Sequence, residues 1–120
     1  MSDGRICYLE LPAADIDVSA KFYADVFGWN IRTRLDGQRA FDDSAGAVSG
    51  SWVPGRRPAS EPGVLVYVMV ESIPATLQRA SAAGGRVSTP ITSLGASGDA
   101  YATILDPAGN LIGLYQERRR

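Results

Sequence analysis

The chain has no histidine among its 120 residues, and only one cysteine. Each scarcity closes off a class of function. Without histidine there is no Ser–His or Cys–His pair for nucleophilic catalysis. The imidazole, the commonest metal ligand, is missing too. The lone Cys7 admits no internal disulfide. The opening MSDGR is not a basic stretch followed by an apolar core, so no export signal is expected and a reducing, cytoplasmic setting fits. No apolar run approaches the roughly 20 residues that cross a bilayer, so no membrane partner is expected. A net charge of −1 provides no field for nucleic acid. The basic tail Arg118-Arg119-Arg120 reads as a solvated terminus. No phosphate-cradling glycine loop is present, and Gly84-Gly85 reads as a helix stop.

What remains is ordinary for a globular chain: 45% hydrophobic and 21% charged residues. A chain of this length forms one domain, residues 1–120, and buries roughly two-thirds of its unfolded surface. Ile6 to Leu11 alternates and stops at Pro12, which predicts a strand. Ile6, Tyr8 and Glu10 share one face of it, and Cys7, Leu9 and Leu11 the other. Asp15 or Asp17 caps a helix running to about Phe27, with Phe22, Tyr23, Val26 and Phe27 as its apolar stripe and Gly28 as its stop. Trp29 to Leu35 alternates into an Asp36-Gly37 turn. Arg39 to Asp42 and Ala47 to Val53 follow as strands. Residues 54–63 are rich in Pro and Gly and read as a linker.

The pattern then restarts. Val64 to Val70 is a nearly unbroken β-branched run, which predicts a buried strand. Ser72 caps a helix over about Pro74 to Ala83. Arg86 to Thr89 reads as a strand and Pro90 to Gly98 as a loop. Tyr101 to Leu105 and Leu111 to Gln116 form a hairpin around Asp106-Pro107-Ala108-Gly109-Asn110. The chain is thus an α+β protein of two βαβββ modules, residues 5–53 and 64–117. In letters, Tyr8 aligns with Tyr67, and Ala108 to Tyr115 aligns with Ala45 to Trp52.

This arrangement, with Leu9-Glu10-Leu11-Pro12, then Phe22-Tyr23 and Val26-Phe27-Gly28-Trp29, then Asp106-Pro107 and Gly109-Asn110, resembles the vicinal oxygen chelate superfamily. Glyoxalase I, the extradiol dioxygenases and the bleomycin resistance proteins belong to it. The resemblance implies two half-open cups facing one cavity, and a homodimer. It also implies that the metal ligands of the enzymatic members, on the first and fourth strand of each module, fall here on Tyr8, Gly50, Tyr67 and Gly113. Glycine offers no ligand, and phenols are protonated at neutral pH and rarely bind zinc or nickel. No metal and no other cofactor is therefore expected. Gly50 and Gly113 would leave room for an organic ring.

The expected small-molecule site is lined by Tyr8, Glu10, Gly50, Trp52, Tyr67, Met69, Gly113 and Tyr115, together with Ile6, Leu65 and Leu111: an aromatic surface with few polar anchors. The same aromatics would equally serve to fill a solid core. Glu10, a charge inside an apolar strand, is the one candidate catalytic residue. A carboxyl taken into apolar surroundings is a usable general acid or base, and the bland alternative is a structural or ligand-anchoring carboxylate. The expected function is metal-independent binding of an aromatic, natural-product-like ligand. The alternative is a lyase, isomerase, cyclase or dioxygenase-like enzyme that uses Glu10 and tyrosines for proton transfer. Arg32 and Arg34 share a strand face and read first as a solvated surface, second as a grip for an anion.

Overall fold

The computed structural model describes residues 3–118; Arg119 and Arg120 of the basic tail lie outside the described residues. The first module consists of β1 (Tyr8–Pro12), α1 (Ile16–Phe27), β2 (Asn30–Thr33), β3 (Arg39–Asp42) and β4 (Ser49–Val53). The second consists of β5 (Tyr67–Met69), α2 (Ile73–Ala82), β6 (Arg86–Ser93), β7 (Ala100–Leu105) and β8 (Leu111–Gln116). Each module folds into its own four-stranded mixed sheet, in the orders β1-β4-β3-β2 and β5-β8-β7-β6. The sheets do not close into a barrel. In both, the first strand runs parallel to the fourth and forms an edge. Among the described residues no helix is long and apolar enough to cross a membrane.

The local chemistry explains these elements. Asp15 Oδ1 accepts from the Asp17 and Val18 backbone N–H groups at 3.0 and 3.3 Å, which fixes the start of α1. Gly28 ends it in the left-handed region, at φ 71°. Ser72 Oγ accepts from Ala75 N at 3.2 Å and starts α2, with Pro74 inside the first turn. β6 runs on to Ser93 where a loop was expected from Pro90. A proline is tolerated there because β6 is an edge strand and its pairing with β7 slips between Thr89 and Thr92. The predicted buried strand at 64–70 requires a larger correction. Only Tyr67–Met69 pair as a strand, Val64 is 83% exposed, and Tyr67 and Met69 lie about half in solvent. The apolar run suggested burial on both faces, but β5 is an edge strand with one face uncovered.

The two helices lie in contact, on the side of the sheets that holds the core. Arg79 of α2 donates through Nε to the Val26 carbonyl in the last turn of α1, at 3.2 Å. Phe22 of α1 packs beside Gly85, where a Cβ would come within 2.8 Å of its ring. At the centre, Tyr23 Oη donates to Asp106 Oδ2 at 2.7 Å. Asn110 Nδ2 donates to the same oxygen at 2.9 Å and to the Pro12 carbonyl at 2.7 Å. Asp106 Oδ1 accepts from the N–H groups of Ala108 and Asn110, and Asn110 Oδ1 accepts from Ala59 N. Tyr23, Asp106 and Asn110 are all buried. This network joins α1, the end of β1, the linker and the β7–β8 turn. The residues that carry the family resemblance therefore lock the modules together.

Two outcomes follow from this network. Tyr23→Phe leaves a buried carboxylate short of one donor and lowers unfolding stability by about 1–3 kcal/mol in urea titration. Burial first, and then the adjacent Asp106, raise the Tyr23 phenol well above its ordinary 10.0. The unfolded chain then loses that proton before the folded one. The stabilisation is complete below about pH 10 and drains away as pH rises through and beyond that value. Thermal unfolding across pH 8–11 should show the decline in the wild type, and Tyr23→Phe should make it shallower.

Candidate functional site

Strand register sorts the side chains onto two faces. In the first sheet Tyr8 lies opposite Ser49, Leu9 opposite Gly50, Glu10 opposite Ser51 and Leu11 opposite Trp52. Leu9 and Leu11 pack into the core, whereas Tyr8 and Glu10 are exposed. Gly50 and Trp52 therefore face the helix side, and the expectation that they share the site with Tyr8 is corrected. A Cβ on Gly50 would collide with the Leu9 carbonyl oxygen and the Phe41 ring. Trp52 is buried, its ring 4.9 Å from that of Phe41 and 6.0 Å from that of Tyr23. The repeat alignment is shifted by one residue in β4, and with a period of two a one-residue slip exchanges the faces. Ser49 is the true counterpart of Gly113, which lies opposite Tyr67.

The open face of the second sheet carries Tyr67, Met69, Gly113 and Tyr115, as expected, together with Tyr101 and Thr103, which register places beside Tyr115 and Gly113. Sequence reasoning missed these two; the partner positions of the β7–β8 hairpin could have found them. The Tyr67 ring lies directly over Gly113, in the space a Cβ would need. It meets Tyr101 edge-on, with centroids 6.4 Å apart. Tyr115 Oη donates to Asp99 Oδ2 at 2.6 Å, and this bond, then partial desolvation and the Asp99 charge, raise the phenol above its ordinary value. Ile6 is largely exposed, while Leu65 and Leu111 are half-buried.

The open face of the first sheet is polar. Arg32 donates from Nε and Nη2 to the two carboxylate oxygens of Asp42 at 3.1 and 3.3 Å. Ser49 Oγ donates to Asp42 Oδ1 at 2.6 Å; this bond first, and Arg32 second, hold the carboxyl below its ordinary range. Arg34 bridges Asp36 and the Tyr8 hydroxyl. Glu10 is about half exposed and ion-paired with Arg56 at 2.6 Å. It is not the apolar-buried carboxyl that acid–base catalysis by this residue called for, and the premise of that role is corrected: Glu10 belongs to a surface pair.

The donor set does not fit a metal. The strand positions that carry ligands in the enzymatic members hold two phenols, the Ser49 hydroxyl and the side-chain-free Gly113, over which Tyr67 lies. Among the described residues no three of Cys, Asp and Glu come together as a metal site. What the two open faces offer is a cluster of three tyrosines and a methionine on one sheet, and a charged, hydroxyl-bearing surface on the other.

Paired βαβββ modules with helices on one side and open sheet faces on the other define the class of fold to which this chain belongs. Residues 5–114 match the Glyoxalase/Bleomycin resistance protein/Dioxygenase superfamily, and the chain belongs to that family. A glyoxylase-like domain-containing protein of Didymella fabae is 28% identical over 89% of this chain and 89% of its own. A "Probable lactoylglutathione lyase" of Vibrio parahaemolyticus is 29% identical over 99% of this chain and 95% of its own. Among solved structures, protein SA1046 of S. aureus shares the fold at a TM-score of 0.75 and 16% identity, covering 97% of this chain and 95% of its own. A family enzyme of Burkholderia phytofirmans gives 0.74 and 18%, covering 92% and 97%.

The two glycines should respond differently to substitution. Gly50→Ala presses on backbone and on the buried Phe41, and should cost about 1–3 kcal/mol of unfolding stability. Gly113→Ala meets first the half-exposed Tyr67 side chain, which can swing aside, and should cost less than about 1 kcal/mol. Equal losses in thermal or urea unfolding would mean that the faces are assigned wrongly.

Proposed function

We infer that this protein binds an organic small molecule on the open faces of its sheets and does so without a divalent metal. The observation that carries this reading is the Tyr67 ring seated over Gly113, a position where the family resemblance implies a metal ligand in the enzymatic members. Filling that position with a ring exchanges ion chemistry for stacking and hydroxyl donation. The tyrosine face suits an aromatic part of the ligand. The Arg32, Asp42, Ser49 and Glu10 face suits its polar substituents, so the ligand is amphipathic rather than uniformly apolar. Homodimer formation belongs to the same reading. Tyr8 is 43%, Tyr67 48% and Met69 58% exposed in the isolated chain. Side chains of this kind left open on paired sheet faces are the mark of a surface that a second copy covers, making a cup from two open walls.

A second reading is a family enzyme, and the likeness to a protein named as a lactoylglutathione lyase favours it over other activities. With Glu10 paired at the surface, proton transfer would fall to the tyrosines, of which Tyr115 is held protonated by Asp99.

Elemental analysis of protein purified without chelator should find divalent metal well below one ion per chain, and added zinc or nickel should leave the melting temperature unchanged. Stoichiometric metal, or lactoylglutathione lyase turnover that appears with added metal, would overturn the metal-free reading. Tyr67→Ala should abolish the thermal stabilisation produced by aromatic ligands while leaving the melting temperature of the free protein within a few degrees, because the ring is half exposed.

A further inference from the structure

On the open face of the second sheet one phenol has its proton already committed. Tyr115 Oη donates to Asp99 Oδ2 at 2.6 Å. A carboxylate only accepts, so the hydroxyl hydrogen lies toward Asp99, and what Tyr115 has left to offer is oxygen lone pairs. The bond to Asp99 first, and desolvation after it, raise this phenol above its ordinary 10.0, so the proton stays in place throughout the neutral range.

Asp99 is itself held from several sides. A short helical turn, Gly95–Ser97, and Gly98 in the left-handed region at φ 80° lead the chain into it. Its backbone N–H donates to Ser97 Oγ at 3.2 Å, and its carbonyl accepts from Leu94 N at 2.9 Å. Its other carboxylate oxygen accepts from Arg118 N at 2.9 Å. Turning the carboxylate away from Tyr115 would also break that bond to the segment after β8. The direction of the Tyr115 proton is therefore preorganised.

The surroundings suit a ring. Tyr115 is partly exposed, and register sets it between Met69 of β5 and Tyr101 of β7. Tyr101 and Tyr67 meet edge-on, at an interplanar angle of 75°, and form an aromatic corner beside it. Tyr67 and Met69 lie about half in solvent, so a ligand can reach this surface. The Tyr67 and Tyr101 hydroxyls make no hydrogen bond among the described residues and can rotate to donate or to accept. Of the three phenols, Tyr115 is the one whose polarity is set.

We propose that the open face of the second sheet selects an aromatic ring bearing a hydrogen-bond donor, a phenol in preference to its ether: the ring packs against Tyr67, Tyr101 and Met69, and its hydroxyl donates to Tyr115 Oη. This selectivity presupposes the open-face small-molecule site and adds to it the polarity of the ligand. An ether oxygen would set lone pairs against lone pairs and leave the Tyr115 acceptor unpaired, and a site built to pair with a hydroxyl rejects the analogue that lacks the donor. Asp99 touches no ligand in this arrangement; it is a positioning residue that acts through Tyr115.

The test uses 4-fluorophenol and 4-fluoroanisole, which differ by one methyl group on the oxygen, read by fluorine NMR titration and by amide shifts of the intact chain. The phenol should bind with a dissociation constant on the order of 1 mM and about fivefold more tightly than the ether, although the ether is the more apolar of the two. Both should shift amides of residues 67–69, 101–103 and 113–115. Tyr115→Phe should weaken the phenol about fivefold, leave the ether within about twofold, and so erase the preference. Asp99→Asn keeps an acceptor for Arg118 N, but its amide can donate to Tyr115 and release the phenolic proton toward the ligand, so the ether should gain and the preference should fall to near unity. A purely structural role for Asp99 would weaken both probes alike and leave their ratio where it was. Equal affinity of the wild type for the two probes, or an unchanged ratio in either variant, would overturn the proposal and leave the open-face site standing. Binding of neither probe, or shifts confined to other residues, would overturn both together.

Discussion

A tyrosine hydroxyl and a carboxylate 83 residues apart in the chain meet at 2.7 Å in the buried interior, with an asparagine amide on the same oxygen. Buried polar groups stabilise a fold only when every member is satisfied, and here each carboxylate oxygen of Asp106 has two donors. The geometry leaves little freedom. α1 must sit against the β7–β8 turn for Tyr23 to reach Asp106. The end of β1 must sit beside Asn110 for the Pro12 carbonyl to accept from it, and the linker must pass close enough for Ala59 to donate. Two modules that do not share a sheet are thereby held in one arrangement.

That arrangement commits the helix side of both sheets to the core and leaves the other side uncovered. Trp29, Phe41, Trp52 and Tyr23 form a chain of rings under the first sheet. Packed aromatics of this kind supply much of the apolar area such a small domain has. The free faces then diverge. The first became a lattice of paired charges and hydroxyls around Asp42, the second a tyrosine surface around Gly113. Two modules of the same plan set up two similar sheets, and their open faces, which the core does not constrain, carry different side chains.

The fold was largely legible in the letters because its punctuation is chemical: Asp15 and Ser72 at helix starts, Gly28 at a helix end, and Asp106 to Asn110 at a hairpin. Half of the expected face was legible as well. Tyr67, Met69, Gly113 and Tyr115 do share a face, since β5 and β8 alternate without interruption. Gly50 and Trp52 were misplaced because glycine gives no sign of which way its missing side chain would point, and a one-residue slip in β4 costs nothing in letters. Glu10 looked buried because its neighbours are apolar. Its partner Arg56 lies in the linker, at a separation that no local pattern reveals. The room supposed at Gly113 depended on where the Tyr67 ring turns, which is a matter of rotamer and not of sequence.

The most direct measurement is native-state hydrogen exchange, read separately for the core strands of each sheet. If the Tyr23–Asp106–Asn110 network makes the two modules one cooperative unit, amides of Phe41 and Gly50 in the first sheet should open with the same free energy as those of Ala102 and Leu114 in the second. Asp106→Asn should lower both by the same amount. Loss of protection confined to the second sheet, with the first unmoved, would contradict the account.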